Sequence, residues 1–491
     1  MKVLIVGTGI GGLSAYIALH KHLRPLLPSL SLRLVEAYPF LSGHTSSSLI
    51  SASTIVGAGL GLAPNGFRAI HSFAPTVAQD ISLRGFVDGA HRFSMRAAAG
   101  HTLGVYIGGS KQRYGGFGMA MVPRGVVFEA LLKVVEQIGQ KGEGERIEWG
   151  RKVMAVTELE AHQGVQVEYQ DGTKDVVDLV IGADGVRSRV RDSIFHGKYP
   201  AEYNGSTGVG GFIPVALLPP KLKQGLLDKD GDDGVVMTFG TKGMFGYSLC
   251  TPRDAPNEYV QSGPILQWWC IYQAPEPPYT SARAKTIAEA DAVKQELLKL
   301  YGTWKSPRDE NDSNVNGVFK AIIELGCVSE EVSDTLVHHH TPVLMLPRYV
   351  VPRLETYTTP TGRIILLGDA AHAMPPDVGQ GVSCAAEDAV VYSLLVSNLL
   401  SQEAAQPLYE MSESVLRDAA KGYNELRTER VGKVLDEAKR RGDSKKEMGT
   451  LSRWFRDLIM RLVCLLPESL SDFLFAYDGE EAVKYYLAHN A

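Results

Sequence analysis

The apolar and polar positions at the start of the chain predict a strand, a tight turn, a helix and a second strand. Four apolar residues, Val3 to Val6, are followed at once by glycines at positions 7, 9, 11 and 12. A helical run from Leu13 to His22 comes next, and residues 31–36 then form a largely apolar stretch that ends on Glu36. A short apolar run bounded by glycine is typical of a buried parallel strand. These residues therefore predict a strand–helix–strand unit built on a parallel sheet.

Two later segments repeat the order of an apolar strand followed by an aspartate. Residues 178–191 carry an apolar run before Asp184, and residues 362–381 carry another before Asp369. Strands that alternate with helical segments are typical of a nucleotide-binding α/β domain. We therefore predict one such domain, whose pieces are separated in sequence by insertions.

The spacing of apolar residues in the rest of the chain predicts first a second sheet and then helices. From about 200 to 345 it favours a sheet that could cover a pocket, since the apolar or aromatic runs 208–217, 234–250 and 266–273 are separated by Pro, Gly and Asp. Between Tyr423 and Ala438 apolar residues recur every three to four positions, which predicts a helix ending near Gly442. The segment from Trp454 to Phe475 is interrupted by charges and Pro467, so we interpret it as a docking helix pair and not a membrane span.

A length of 491 residues exceeds what one core accommodates, so we expect two packed domains and an appendage. The predicted boundaries are 1–75, 100–200 and 345–400 for a discontinuous nucleotide-binding domain, 76–99 and 201–344 for a substrate domain, and 401–491 for a C-terminal helical region.

Composition narrows the class of partner. A net charge of -5 gives no electrostatic footprint for nucleic acid, and 44% hydrophobic residues describe an ordinary globular protein. The five scattered cysteines fit a reducing, cytoplasmic setting. The three consecutive histidines 338–340 predict no metal site, because neighbouring strand positions diverge and no nearby acid or cysteine completes a ligand set. We expect a small-molecule partner, no nucleic acid, no membrane span, and a monomer or homodimer.

The glycine cluster after the first strand has the spacing of a dinucleotide-binding turn. Gly7 permits the tight turn, Gly9 lets the backbone approach a pyrophosphate, and Gly12 lets the helix pack closely on the strand. Free N–H groups at the helix start favour the anion. Glu36, at the end of the following strand, is placed to accept hydrogen bonds from an adenosine ribose. The pattern alone does not choose between NAD and FAD.

Two further motifs resemble those of the flavoprotein aromatic hydroxylases, the family of p-hydroxybenzoate and salicylate hydroxylases. Residues 178–191, DLVIGADGVRSRVR, resemble the family's Asp-Gly motif, and residues 362–381, GRIILLGDAAHAMPPDVGQG, resemble its Gly-Asp motif. The resemblance extends over most of the chain. It implies a bound FAD and a glutathione-reductase-like FAD-binding Rossmann domain, with an inserted β-sheet substrate domain and C-terminal helices.

The resemblance also implies roles for individual residues. Asp369, after Gly368, would bind a ribityl hydroxyl, and backbone N–H groups around Gly379 and Gly381 would approach the flavin ring. The remaining cofactor-binding residues that it implies are Asp184, Gly185 and Arg191 near the pyrophosphate, Gly59 beside the ring, Arg124 before a helix, and Pro376 lining the ring. Pro376 and Asp377 are the catalytic candidates. Asp377 would act as a base or hydrogen-bond acceptor, or it would merely cap the helix that follows it.

The reaction that the resemblance implies is oxygen transfer. NAD(P)H would reduce the FAD, and O2 would then deliver one oxygen atom through a flavin hydroperoxide to an aromatic or electron-rich molecule, by hydroxylation or epoxidation, in secondary metabolism. No second glycine-rich turn follows another strand, so NAD(P)H would bind only transiently. Two alternatives stay open: an FAD-dependent dehydrogenase or reductase without oxygen transfer, and a binding protein with no catalysis.

Overall fold

A computed structural model describes residues 1–39, 58–142, 147–160, 163–228, 233–279, 281–309, 317–333, 341–403, 412–443, 445 and 447–490. The histidines at 338–340 lie outside these ranges.

The strands, in chain order, are β1 (Lys2–Val6), β2 (Ser31–Glu36), β3 (Gly59–Leu62), β4 (Arg92–Ala97), β5 (Thr102–Ile107), β6 (Ala120–Pro123), β7 (Glu148–Trp149), β8 (Val153–Glu158), β9 (Val165–Tyr169), β10 (Lys174–Val177), β11 (Leu179–Gly182), β12 (Glu202–Pro214), β13 (Val235–Phe239), β14 (Met244–Leu249), β15 (Ile265–Gln273), β16 (Leu344–Val350) and β17 (Ile364–Leu366).

The α-helices are α1 (Ile10–Leu23), α2 (Pro64–Phe73), α3 (Pro75–Arg84), α4 (Arg124–Gln140), α5 (Arg189–Phe195), α6 (Pro220–Leu227), α7 (Ile287–Tyr301), α8 (Val318–Gly326), α9 (Glu330–Ser333), α10 (Asp369–His372), α11 (Gly381–Glu403), α12 (Glu413–Asp443), α13 (Thr450–Val463), α14 (Asp472–Phe475) and α15 (Gly479–Asn490). Short 3-10 turns span Val215–Leu217, Pro376–Val378 and Glu468–Ser471.

The first sheet is parallel throughout, with strand order β17-β11-β1-β2-β7. Val6 lies beside Gly182, and Gly182 lies beside Leu366, so the carboxyl ends of β1, β11 and β17 meet at one edge. These strands are nearly continuous apolar runs because helices cover both faces of a parallel sheet. The Rossmann-like parallel sheet predicted from the sequence is confirmed, and its strands come from separate stretches of the chain.

The second sheet has seven strands in the order β16-β12-β15-β14-β13-β4-β5. Its pairs are antiparallel except for β13 and β4, which run parallel. The sheet predicted for the insertion is therefore present. The inserted segment also contains helices α6 to α9. The predicted boundaries at 100 and 345 are wrong by several residues, because β5 and β16 pair within this sheet and not within the first.

The longest apolar helix belongs to the core. Among the described residues, Gly381–Gln402 is the stretch that is long and apolar enough to cross a membrane by length and composition, and 72% of its apolar 18-residue segment is buried within the protein. It packs against α1, α2, α12 and α15.

The C-terminal region is helical, as predicted. Helix α12 includes the apolar positions from Tyr423 to Ala438 and ends one residue beyond Gly442. Helix α13 packs against β5 but leaves Leu451, Trp454 and Leu462 exposed. It is followed by a 3-10 turn and the four-residue α14, so the predicted helix pair is one helix and a short turn.

Candidate functional site

One cavity of about 1270 Å³ runs between the two sheets. Residues from all three sequence motifs line it, including Gly9, Gly185 and Asp369. These residues follow β1, β11 and β17, whose carboxyl ends meet at the same sheet edge. In open α/β sheets, ligands bind at this edge. The end of the cavity near the first sheet is called the motif end below, and the end under the second sheet is called the chamber.

The glycine turn has the conformation that the sequence pattern predicts. Gly7 has a φ of 103°, and a Cβ at this position would lie 2.5 Å from the carbonyl oxygen of Ala183. A Cβ at Gly12 would lie 1.9 Å from the Gly7 carbonyl oxygen. At Gly9 a Cβ would meet nothing within 4 Å, since this residue faces the cavity at the start of α1. The helix therefore presents its first N–H groups to the open space.

Glu36 lies close to this turn and is almost fully buried. Its Oε2 accepts hydrogen bonds from the Thr8 backbone N–H at 2.9 Å and from the Thr8 hydroxyl at 2.7 Å. Its Oε1 accepts a bond from the backbone N–H of Tyr38 at 3.1 Å. Oε2 already accepts two bonds, whereas Oε1 can accept a further one, so the side chain fixes the turn and keeps acceptor capacity for a ribose.

Two charged side chains of the second motif, Asp184 and Arg191, lie inside the turn and not in the lining of the cavity. Asp184 accepts hydrogen bonds from the Ser188 hydroxyl and from the backbone N–H groups of Arg189 and Val190, so it caps α5. The guanidinium of Arg191 donates to the carbonyl oxygens of Tyr199, Ala370 and Val186. Burial raises the pKa of Asp184 and lowers that of Arg191. Of this motif Gly185 and Ala183 line the cavity, while Asp184 and Arg191 hold the turn in place.

The third motif exposes its aspartate to the cavity. Asp369 begins α10 directly after Gly368, which has a φ of 58°. Its carboxylate lines the cavity and has no side-chain hydrogen bond or ion pair within the described part of the chain. An acid at the end of a buried strand that faces an open cavity is suited to accept hydrogen bonds from a ligand hydroxyl.

The same motif places its glycines at the start of α11. A Cβ at Gly381 would meet nothing within 4 Å, and Gly379 has a φ of 63°. Both residues line the cavity together with Pro376. The N-terminus of the 23-residue helix α11 therefore points at the motif end, where its N–H groups and dipole favour negative charge.

A buried charged network supports this motif from behind, and sequence reasoning missed it. Asp388 on α11 accepts hydrogen bonds from His372 Nε2 at 2.7 Å, the Gly368 backbone N–H at 2.8 Å, and Arg427 Nε at 2.7 Å. Although burial opposes ionisation, the charges of His372 and Arg427 lower the pKa of Asp388 to about 2. Asp388 therefore stays ionised and fixes the turn before Asp369.

Glu387 extends the network toward α2. It contacts Arg427 Nη1 at 2.8 Å and Arg430 Nη2 at 3.2 Å, and it accepts a bond from Asn65 Nδ2 at 2.6 Å. Against the effect of burial, the two arginines hold the pKa of Glu387 below its usual value. The available signal was two adjacent acids in an otherwise apolar helix, which require buried partners.

Gly59 and Arg124 both line the cavity, as the resemblance implied. Gly59 lies on β3, and a Cβ there would lie 1.5 Å from Oε1 of Gln267, so the strand passes against the second sheet without room for a side chain. Arg124 begins α4, and its side chain makes no hydrogen bond or ion pair within the described residues.

Asp377 lines the cavity but does not have the environment of a base. Its carboxylate is buried and pairs with Arg348 and with Lys445 Nζ, the latter at 2.8 Å. Burial alone would raise its pKa, but the charges of Lys445 and Arg348 outweigh this effect and lower it. Both contacts are to side chains, so the helix-cap interpretation also fails. The surroundings of Asp377 thus suit neither a base nor a helix cap, although its carboxylate does accept hydrogen bonds, and Arg348 and Lys445 are cavity residues that sequence reasoning did not find.

The chamber is mainly apolar. Its walls come from the second sheet and from the C-terminal segment. They include Phe93, Met95, Tyr106, Met237, Phe239, Trp269, Leu346, Phe455, Ile459, Met460 and Leu470. Met237 and Phe239 of this wall lie on β13, within the run 234–250 that predicts a sheet over a pocket. Such a chamber excludes water around an apolar ligand.

The motif end fits FAD. It offers a pyrophosphate site at the start of α1, an acidic residue at the end of β2, the cavity-facing Asp369 and the N-terminus of α11, in one continuous space. The fold and this site define an FAD-binding protein of the Rossmann class.

Comparison with known proteins agrees. A family described as "FAD binding domain" matches residues 344–423. The chain is 27% identical to salicylate hydroxylase of Pseudomonas putida over 418 residues, covering 83% of this chain and 79% of that protein. It is 25% identical to the chloroplastic zeaxanthin epoxidase of Solanum lycopersicum over 446 residues, covering 88% of this chain. The chain spans only 53% of that epoxidase.

A solved structure shows the same fold. HpxO of Klebsiella pneumoniae, complexed with FAD and uric acid, superposes with a TM-score of 0.66 at 18% identity, covering 99% of this chain and 97% of that chain. The chain therefore carries an FAD-binding domain and is similar in sequence to FAD-dependent monooxygenases, an aromatic hydroxylase among them.

Proposed function

We propose that this protein uses FAD, NAD(P)H and O2 to insert one oxygen atom into an aromatic or other electron-rich small molecule. The observation that carries the proposal is the junction of two environments in one cavity: a motif end that fits FAD, and an apolar chamber that shares this space with Pro376 and Gly379. The relatives support it, since those named above are a hydroxylase and an epoxidase. Secondary metabolism and a cytoplasmic location are parts of the same proposal.

The chain's own residues would hold the cofactor. The first N–H groups of α1 would bind the pyrophosphate, Glu36 the adenosine ribose, and Asp369 a ribityl hydroxyl. The N-terminus of α11 would direct its N–H groups at the ring and stabilise negative charge there. When bound, FAD would supply the redox chemistry, while the protein supplies position and electrostatics.

The chamber would hold the substrate and keep water from the reacting atoms. Its aromatic and methionine side chains can adapt to a flat, apolar molecule. Trp269 and Met237 come from neighbouring regions of the second sheet, and Phe455 and Met460 come from α13. The substrate would therefore lie between the sheet and the C-terminal helix.

Two measurements test the proposal. The purified protein should carry a flavin absorbance near the usual yellow bands, and product formed under oxygen-18 gas should contain one labelled atom per molecule. Candidate substrates can be found by screening for stimulated NADPH oxidation. Product without label would contradict the monooxygenase proposal and favour a dehydrogenase or reductase, and a colourless protein that takes up no FAD would favour a binding protein.

The role of Asp369 has its own test. Because this carboxylate would make charge-assisted hydrogen bonds to FAD, we expect Asp369→Ala to weaken FAD binding by about 10- to 100-fold. Thermal stability of the FAD-free protein should change little, since the side chain contacts no described side chain. Asp291→Ala is the matched control, because Asp291 is half exposed on α7 and pairs only with nearby Lys294. Full flavin occupancy in Asp369→Ala would remove the assigned role.

A further inference from the structure

A buried charge cluster lies where the motif end meets the chamber. It consists of Asp377 on the 3-10 turn before Gly379, Arg348 on β16, and Lys445 between α12 and α13. All three residues line the cavity. The Asp377 side chain is fully buried, and those of Arg348 and Lys445 are 7% and 6% exposed. Three separate segments of chain thus bring charged groups to one place beside the apolar chamber.

The cluster holds more positive than negative charge. Two cations share the single carboxylate of Asp377, which leaves one positive charge without a partner in the cluster. A buried charge is costly unless it is paired. The low-dielectric walls of the chamber also make a surplus charge act strongly on a ligand.

The donors of the cluster are not all used. Within the described residues, Arg348 Nε is buried with no hydrogen-bond partner. Arg348 Nη1 makes one long contact of 3.4 Å to the Ser206 hydroxyl, and Lys445 Nζ uses one of its three hydrogens on Asp377. Gly442 of α12 packs closely against this carboxylate, since a Cβ there would lie 3.1 Å from Asp377 Oδ2.

We propose that Arg348 and Lys445 form an anion subsite that binds a carboxylate or phenolate oxygen of the substrate and so orients its apolar body in the chamber. This inference rests on the proposed function, because it describes the same cavity. Asp377 pairs with both cations and offsets part of the positive charge that the substrate anion meets. The substrate class narrows from aromatic molecules in general to those with an acidic oxygen at one end.

The test compares two ligands of nearly equal size and different charge. 2-Naphthoate carries a carboxylate, and 2-naphthamide is its neutral counterpart. Each is titrated into the FAD-loaded enzyme and followed by the change in flavin absorbance. In the unmodified protein we expect 2-naphthoate to bind at least about tenfold tighter, since charge-assisted hydrogen bonds are roughly twice as strong as neutral ones.

Variants change the cluster's charge in both directions. Lys445→Met leaves the Arg348–Asp377 pair neutral, so the protein should fold and the preference for 2-naphthoate should fall to about twofold or less. Asp377→Asn frees both cations and should strengthen 2-naphthoate binding by about threefold or more if the variant folds. Lys433→Met is the matched control, because Lys433 lies on the exposed face of α12 and pairs only with Glu429. It should leave both affinities unchanged.

The outcomes separate the possible explanations. Equal binding of the two ligands by the FAD-loaded protein, binding of neither, or an unchanged preference in Lys445→Met would overturn the anion subsite and leave the proposed function standing. A variant that shifts NADPH saturation but not 2-naphthoate binding would assign the cluster to the reductant's phosphates, which also overturns it. Failure of the unmodified protein to bind FAD would instead remove the proposed function itself.

Discussion

The two ends of the cavity differ in the atoms that line them: mainly backbone atoms at the motif end, and large side chains in the chamber. At the motif end, glycines and helix N-termini bring backbone atoms to the open space, as at Gly9 and Gly381. In the chamber, large side chains such as Trp269, Phe239 and Met460 form the walls. Backbone contacts require particular residues at fixed spacing, whereas a wall of side chains can be made in many ways. The motif end is therefore recognisable in a sequence, and the chamber is where substrate choice can vary.

The largest effect should come from breaking the buried network behind the motif end. Arg427 is fully buried between Asp388 and Glu387, with contacts of 2.7 and 2.8 Å. Arg427→Met would leave two buried carboxylates short of a partner, so we expect a loss of about 3–5 kcal/mol in the free energy of unfolding. Urea denaturation measures it. Lys433→Met removes an exposed pair and should cost less than about 1 kcal/mol. Equal losses in the two variants would show that the network does not hold this end.

A smaller effect should separate packing from cofactor contact within the glycine turn. Gly12→Ala places a Cβ 1.9 Å from the Gly7 carbonyl oxygen, so we expect a loss of about 1–3 kcal/mol together with weaker FAD binding. Gly9→Ala places its Cβ in open space. It should therefore melt like the unmodified protein but bind FAD less tightly. If both variants lost stability equally, the distinction between the two glycines would be wrong.

A change in the chamber should leave the motif end intact. Trp269 is half-buried on β15 and lines the cavity. Trp269→Phe keeps an apolar ring but enlarges the space, so stability should fall by less than about 1.5 kcal/mol. The set of aromatic compounds that stimulate NADPH oxidation should shift toward larger ones. FAD content, measured by absorbance, should stay the same, and its loss would contradict the separation of the two ends.

The smallest effect is confined to acidic pH and to a residue outside the cavity. Burial, with a contribution from Lys21, lowers the pKa of His22 from 6.5 to about 4. The unfolded chain then binds a proton more readily than the folded one, so the stability due to neutral His22 is complete above pH 6.5 and is lost as the pH falls toward 4. In His22→Gln, the midpoint of urea denaturation should therefore depend less on pH between 6.5 and about 4. An unchanged pH dependence would show that His22 is not the titrating group.

The motif end could be predicted from the sequence because each of its parts depends on a short, contiguous pattern of residues. The turn from Gly7 to Gly12, Asp369 after β17, and the glycines before α11 all lie where the pattern placed them. It could not predict the direction of Asp184, since an acid after a strand can face a ligand or cap the next helix, and here it caps α5. The boundary at 100 failed because strand pairing, and not composition, assigns β5 to the second sheet.

The charge cluster of Asp377, Arg348 and Lys445 could not be predicted from the sequence for a different reason. Arg348 lies on an edge strand, Lys445 lies between two helices, and each is an ordinary charged residue in its own neighbourhood. They form a cluster only because the fold brings both of them into contact with Asp377. A single sequence carries no local signal for such a meeting.

The strand order has a consequence for how the protein is made. The second sheet takes its last strand from β16, which ends at Val350, while the first sheet needs β17, which ends at Leu366. On the ribosome, every strand of the chamber's sheet therefore emerges before the edge strand that precedes Asp369. Capture of the dinucleotide therefore waits until the chamber's sheet has been synthesised, while the chamber's C-terminal wall, with Phe455 and Met460, emerges later still.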